Sequence, residues 1–220
     1  MNRKSRDKNT KSKYLQRFLL IIPTIGMALF LFFYSLAAIN YPGGSWNVPN
    51  KTGFSFWNNY LCDLLDTYAI NGELNSARYY ARISLGVLCG SLLILWNKLP
   101  FFFSTKSRNK TIMWVSGNLA LGITLFLTSG THDITIRIAG VFGVIAFISC
   151  FIELLKEKMF YLFNFELVCL FVFLANYFIY ETELFIHSLP IIQKVTFFLC
   201  IVWFFFLNIA IYRKLINSKK

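Results

Sequence analysis

Charged residues are scarce in this chain: they make up 15% of its 220 residues, and only ten of them are acidic. A typical soluble domain carries about 25% charged residues and about 45–50% apolar ones. Here 56% of the residues are hydrophobic and 19% are aromatic. That balance excludes a disordered chain, a collagen-like repeat and a small domain built on disulfides. A polytopic membrane protein is the class that fits.

Cysteine and histidine are also few, and neither follows a metal-binding spacing. None of the five cysteines forms a CxxC pair, and only Cys62 lies outside the apolar runs, with no local partner. The two histidines, His132 and His187, lack an HExxH motif or a third histidine. The sequence therefore excludes a disulfide framework and gives only a weak metal signal, and it names no cofactor.

Six long runs are free or nearly free of charge. A helix that crosses about 30 Å of hydrocarbon needs roughly 20 apolar residues. Four runs meet that length directly, and the second and fourth reach it only if basic side chains at their ends extend to the membrane surface. We predict an all-α integral membrane bundle of six transmembrane helices (18–213) between a basic N-terminal tail (1–17) and a C-terminal tail (214–220). The runs cover residues 18–39, 83–97, 111–132, 138–152, 159–180 and 195–212.

Basic residues are divided unequally between the loops, and this predicts the orientation. With a cytoplasmic N-terminus, 17 of the 22 Lys and Arg residues fall on cytoplasmic segments. Short loops rich in Lys and Arg stay inside, so both termini are predicted to be cytoplasmic. The first run is expected to be a retained helix rather than a cleaved signal peptide, since it exceeds the about 7–15 apolar residues of a signal sequence. We expect a bacterial or archaeal cell membrane and no nucleic-acid partner.

The only long loop, residues 40–82, is predicted to be external and to carry local structure. Pro42 followed by two glycines indicates a turn. Ser55 is a suitable N-cap, apolar residues recur at helical spacing over 56–68, and Asn71-Gly72 is a typical stop. We therefore predict a short amphipathic helix at the membrane surface or capping the bundle, with a polar face that is either functional or merely solvated. That face would carry Asn59, Asp63 and Asp66.

The same loop carries a family resemblance. The string Tyr41-Pro42-Gly43-Gly44-Ser45, the segment FSFWNNYLCDL at 54–64, and Asn71-Gly72 with Asn75 resemble an uncharacterised family of bacterial and archaeal six-helix membrane proteins with YPGG and N-x-L-S-D-L motifs. That family is distantly similar to the DRAM/Frag/Sfk group, some of which act in lipid and GPI-anchor metabolism. Cys62 stands where the family usually has Ser. The resemblance implies the six-helix fold but no established reaction.

Polar side chains of three segments share the predicted outer face. Both histidines and six of the ten acidic residues lie there, and such a set can bind a metal or supply an acid and a base. The alternative is that they are ordinary hydrophilic turn residues. As a catalytic set we predict Asp63, His132 and Asp133, and as ligand-binding residues we predict Tyr41, Asn59, Asp66 and His187.

A second polar layer is predicted within the membrane. Glu166 is the one charged residue well inside a run, and Asn118 and Asn208 lie at a similar depth. An intramembrane carboxylate is costly and normally faces the bundle interior. It is either an ion-coupled site or, as we favour, a polar staple between helices.

These observations favour an outward-facing polar pocket that binds or modifies a lipid headgroup or another amphiphile. A catalytic version would be a lipid-directed hydrolase or transferase. The alternatives are a non-catalytic membrane scaffold or lipid organiser and, third, a small transporter that uses Glu166. Convergence of His132 with Asp63 would favour the enzyme, and a central polar path past Glu166 the transporter.

Overall fold

The computed structural model describes residues 3–104, 107–127 and 132–217, with side chains from residue 18 to residue 214 within those ranges. The described chain is all-α and contains no β-strand beyond two isolated bridges. Two short 3₁₀ turns, Cys62–Leu65 and Ile186–Ser188, accompany the long helices. The helices are α1 (Arg3–Ile39), α2 (Arg78–Phe102), α3 (Arg108–Thr124), α4 (His132–Lys156), α5 (Phe160–Thr182) and α6 (Leu189–Asn217).

Five of the helices are long and apolar enough to cross a membrane, which fits a multi-pass membrane protein. The second and fourth runs, predicted to be the shortest, belong to helices of 25 residues each, and the short helix is α3, with 17 residues. The difference arises because helical hydrogen bonding continues through polar end turns, such as the one that begins at Arg78. A count of uncharged residues does not register those turns.

Consecutive helices pack as hairpins, α1 with α2, α3 with α4 and α5 with α6, and α1 and α2 also contact α6. The bundle therefore has two ends, here called the loop pole, where residues 40–77 lie, and the tail pole, where α2 and α6 finish. Although α3 is short, it connects them. Its Met113 carbonyl accepts a hydrogen bond from Trp96 in the second half of α2, and Leu127 just beyond its end packs on the apolar core of the loop.

Close helix contacts depend on small residues. A Cβ on Gly117 of α3 would lie 2.0 Å from the indole nitrogen of Trp96, and one on Gly26 of α1 would lie 2.2 Å from the Ser91 hydroxyl oxygen. Real Cβ atoms do not approach so closely, so these glycines set the helix spacing. A hydrogen bond also joins α5 and α6, because the indole nitrogen of the buried Trp203 in α6 donates to the Leu162 carbonyl of α5.

The predicted amphipathic helix in the first loop is wrong. Only the 3₁₀ turn Cys62–Leu65 forms there, and the loop folds over itself as a compact cap with bridges between Gly43 and Thr52 and between Tyr68 and Leu74. The predicted glycine turns are present, with φ of +84° at Gly44 and +86° at Gly72. Helical periodicity failed as a guide because polar side chains of this segment bond to the loop backbone and compete with helix formation.

Candidate functional site

The interior of the loop is organised by Asn59, which has no exposed surface. Its side-chain oxygen accepts a hydrogen bond from the Ser55 backbone at 2.8 Å, and its amide donates to the Gly44 carbonyl at 2.6 Å and to the Asp63 carboxylate at 2.9 Å. The Tyr60 backbone also donates to Asp63, at 2.9 Å. Asn59 and Asp63 thus connect three parts of the loop instead of forming a solvated stripe.

Asn75 fixes the 3₁₀ turn to the start of α2. Its buried amide donates to the carbonyls of Asp63, Leu64 and Asp66 at 3.2, 3.3 and 2.9 Å. Its side-chain oxygen accepts from the Ala77 backbone at 3.0 Å, just before the helix begins. Tyr41 braces the same region, since its hydroxyl accepts from the Ile70 backbone at 3.1 Å and its side chain is buried.

Lys194 brings α6 into the loop, a contact that the sequence analysis missed. The side chain is 8% exposed, and its amine donates to the backbone carbonyls of Asn59 and Pro190. The amine also lies 5.7 Å and 5.2 Å from the ring centroids of Phe54 and Phe56. A lysine in an otherwise apolar stretch was the available signal, because such a charge requires buried acceptors.

Its neighbour Gln193 ties down the next part of the loop. The Gln193 side-chain oxygen accepts from the Leu61 backbone at 2.7 Å, and the Tyr34 hydroxyl of α1 donates to the Leu61 carbonyl at 3.3 Å. The loop is therefore anchored to α1, α2 and α6 through polar bonds.

Burial sets the ionisation of this loop interior. It raises the pKa of Asp63 to about 6, against the opposing effects of the Asn59 and Tyr60 hydrogen bonds and the nearby Lys194 charge. Burial and the neighbouring Asp63 raise the pKa of the Cys62 thiol to about 12. Because the thiolate is the nucleophilic form, this raised pKa keeps Cys62 in its unreactive thiol form at neutral pH.

A second polar set, the His132 group, consists of His132, Asp133 and Tyr180. The His132 Nδ1 atom lies 3.0 Å from an Asp133 carboxylate oxygen, and the Tyr180 hydroxyl donates to that same oxygen. Beside it, Arg137 binds Glu181 through two hydrogen bonds of 2.9 and 3.2 Å. The other imidazole nitrogen, Nε2 of His132, is buried and has no hydrogen-bond partner in the described part of the chain.

Asp66 lies between the loop interior and the His132 group, because its charge acts on Asp63 and Tyr41 as well as on His132. The carboxyl group is half-buried, and burial raises its pKa, while the nearby charges of His132 and Arg82 act in the opposite direction. Among the described residues, hydrogen bonds link Asp63 to Asn59 and Tyr60, not to His132. A site shared by Asp63 and His132 stays a prediction.

His187 lies apart, on the exposed 3₁₀ turn before α6, and its Nδ1 atom is 2.7 Å from the Asn47 side-chain oxygen. The contact joins the α5–α6 turn to the outer part of the loop.

The intramembrane residues differ from one another. Asn208 of α6 is a staple, since its amide donates to the Leu20 carbonyl and the Thr24 hydroxyl of α1 at 2.7 and 2.9 Å. Asn118 bonds at the α2–α3 contact, accepting from Asn97 at 3.1 Å.

Glu166 has no exposed surface, and neither of its carboxyl oxygens has a hydrogen-bond partner of good geometry among the described residues. The Cys150 thiol of α4 is close enough to act on the carboxyl group, and a role as a polar staple stays a prediction. The electrostatic neighbours of Glu166 are thiols, those of Cys150, Cys169 and Cys200 on three helices.

The described residues contain no group of three or more His, Cys, Asp or Glu side chains placed to hold a metal ion. Comparison with protein-family models, curated proteins and solved structures gives no match for this chain. The family resemblance of the loop therefore remains a prediction.

Proposed function

We propose that the protein binds the zwitterionic headgroup of a membrane amphiphile at the His132 group. The observation that carries the proposal is the buried Nε2 atom of His132, which has no hydrogen-bond partner among the described residues. The Asp133 carboxylate contacts the Nδ1 edge of the imidazole, and a hydrogen bond from the Tyr180 hydroxyl holds that carboxylate in place. A buried polar nitrogen left without a partner costs free energy, and a ligand atom that bonds to it recovers that cost.

The charges around His132 have both signs, which favours a zwitterion over a simple anion. Asp66 lies within the electrostatic reach of both His132 and Arg82. Arg137 and Glu181 form an ion pair, so together they add no net charge to the site. A headgroup phosphate fits Arg82 and His132, and an ammonium group fits Asp66.

Exposed apolar residues follow two of the site residues in the sequence, and an amphiphile with a hydrocarbon tail needs apolar surface near its headgroup. Ile134 follows Asp133 and is 68% exposed, and Ile83 follows Arg82 and is 49% exposed. A ligand with its headgroup at His132 would therefore keep its tail in the lipid along α2 or α4.

Catalysis at the same site is the second candidate. Asp133 beside Nδ1 orients the imidazole and favours a proton on that atom, which leaves Nε2 as a base. A lipid-directed hydrolase or transferase would use it to activate water or a hydroxyl group. Asp66 would be a second carboxylate acting on that imidazole, since it interacts electrostatically with His132.

The test is a titration of delipidated protein with phosphatidylethanolamine, followed by native mass spectrometry. His132→Ala removes the Nε2 atom, and we expect at least about tenfold weaker binding, since a hydrogen bond to a charged group contributes about 1.5–3 kcal/mol. His187→Ala is the matched control, because it changes the other histidine of the loop pole, which is bonded to Asn47. Equal affinity of His132→Ala and wild type would refute the proposal.

A further inference from the structure

The tail pole carries an open groove far along the bundle from the His132 group. It lies between the end of α2 and the start of α3 and has a volume of about 410 Å³. Among the described residues, its walls combine one cation and two hydroxyl groups with an apolar surface. The lining residues are Pro100, Phe101, Ser107, Lys110, Thr111 and Trp114.

Lys110, the cation of the groove, has N–H groups left to bind a ligand. Among the described residues, the Lys110 amine donates one hydrogen bond, to the Phe103 carbonyl at 3.0 Å. Two of its three N–H groups therefore remain for a ligand. The Ser107 hydroxyl oxygen accepts from the Asn109 backbone at 3.1 Å and from the Lys156 amine at 3.5 Å, and it keeps its own hydrogen to donate. Thr111 adds a second hydroxyl donor one turn further along α3.

None of the described residues that line this groove is acidic. The nearby carboxylates at the tail pole are held by other lysines: Glu153 lies 2.7 Å from the Lys156 amine, and Glu157 lies 3.4 Å from the Lys214 amine. The charge of Lys110 is therefore available to a ligand, which must be anionic.

The remaining walls suit hydrocarbon. Phe101 is 85% exposed and Trp114 is 41% exposed, and Ile112 and Val115 continue the apolar surface along α3. The Trp114 indole nitrogen donates to the Asn97 side chain at 2.7 Å, which fixes the ring at the groove edge. Tryptophan in such a position is typical of the boundary between headgroups and acyl chains.

We infer that this groove binds the headgroup of an anionic glycerophospholipid from the leaflet at the tail pole. The phosphate accepts hydrogen bonds from Lys110, Ser107 and Thr111, and the acyl chains run along Phe101 and Trp114. Basic pockets beside membrane helices recognise anionic lipids by this combination of charge and apolar wall. The site uses none of the residues of the His132 group, so it stands or falls independently of the function proposed above.

The test titrates delipidated protein with phosphatidylglycerol and with phosphatidylcholine of identical acyl chains, followed by native mass spectrometry. The wild type should bind phosphatidylglycerol more tightly. Lys110→Gln should weaken that binding about fivefold, since a basic residue near lipid contributes about 1 kcal/mol, and should leave phosphatidylcholine binding unchanged. Lys158→Gln, an exposed lysine of the same pole that does not line the groove, is the matched control.

Two further measurements keep the outcome clear. Lys110→Arg retains the charge and should bind phosphatidylglycerol within twofold of the wild type, whereas Thr111→Leu fills the groove and should weaken binding in a chain whose charge is unchanged. Equal losses in Lys110→Gln and Lys158→Gln would overturn the site in favour of unspecific attraction. Displacement of the lipid by millimolar glycerol phosphate would also overturn it, because the ligand would then be a soluble anion.

Discussion

The side-chain amide of Asn59 donates to the Asp63 carboxylate across 2.9 Å inside the loop, and neither residue is exposed by more than 5%. The backbone carbonyl of Asn59 also accepts a hydrogen bond from the Lys194 amine. The pair thereby couples the loop to α6, 135 residues further along the chain. Polar residues that resemble a binding face thus form the internal support that holds the loop pole in shape.

Replacing Asn59 should loosen this support. Asn59→Ala removes bonds to Ser55, Gly44 and Asp63 and leaves buried partners unsatisfied. We expect a loss of about 2–4 kcal/mol, and a melting temperature in detergent lower by on the order of 10 °C. Asn58→Ala, which removes one partly buried bond to Ser55, is the control and should change melting far less. Equal effects of the two variants would contradict the assignment.

Asp63 should make the loop pH-dependent. Its pKa is raised to about 6 in the fold, from 3.8 in the unfolded chain. The folded state therefore holds its proton more tightly, so stability is greatest below pH 4 and falls by up to about 3 kcal/mol as pH rises to 6. Above that, this contribution is constant.

Asp63→Asn cannot ionise and should lack that fall. Thermal unfolding between pH 4 and pH 7 compares the two chains, and only the difference between wild type and variant is assigned to Asp63. A wild-type profile parallel to that of Asp63→Asn would disprove the buried position of the carboxyl group.

Two glycines of the loop have similar φ angles but different surroundings. A Cβ on Gly44 would lie 2.6 Å from the Asn71 backbone nitrogen and 2.8 Å from the Pro49 carbonyl, whereas one on Gly72 would meet nothing within 4 Å. Gly72→Ala should cost only the left-handed strain of about 1–2 kcal/mol. Gly44→Ala adds a clash with fixed backbone and should lower the melting temperature substantially more. Similar melting of the two variants would show that Gly44 is not enclosed.

The helical bundle could be predicted because each span is a local property of the sequence. Run lengths indicated six helices, and Gly44 and Gly72 marked turns that require positive φ. Helix ends were less accessible, since the turn at Arg78 is polar but still helical.

The loop interior could not be predicted, because it depends on contacts between distant residues. Helical spacing placed Asn59 and Asp63 on a solvent face, but the chain reverses at Gly44 and covers them. Lys194 contributes its charge from the far end of the sequence. In the His132 group, the pairing of His132 with Asp133 is local, but Tyr180 and Asp66 reach it only through packing.

The orientation of the bundle rests on its basic residues and can be tested by labelling. In a Cys62→Ser background, Lys51→Cys in the loop should react with an impermeant maleimide from outside the cell. Arg108→Cys at the start of α3 should react only after permeabilisation, because 17 of the 22 basic residues fall on the predicted inner side. Reaction of both from one side would refute the six-span arrangement.

The two polar residues buried at similar depth should respond in opposite ways to loss of polarity. Asn208→Leu breaks two bonds that join α6 to α1, so we expect a loss of about 0.6–2 kcal/mol and a lower melting temperature in detergent. Glu166→Leu gives up only a weak contact with the Cys150 thiol and removes a polar group from an apolar surrounding, so melting should stay unchanged or rise. Glu166→Gln keeps the shape and polarity of the glutamate, and its melting temperature should be no higher than that of Glu166→Leu. If Glu166 instead joined two helices through hydrogen bonds, Glu166→Gln would be tolerated, and Glu166→Leu would lower the melting temperature as much as Asn208→Leu does.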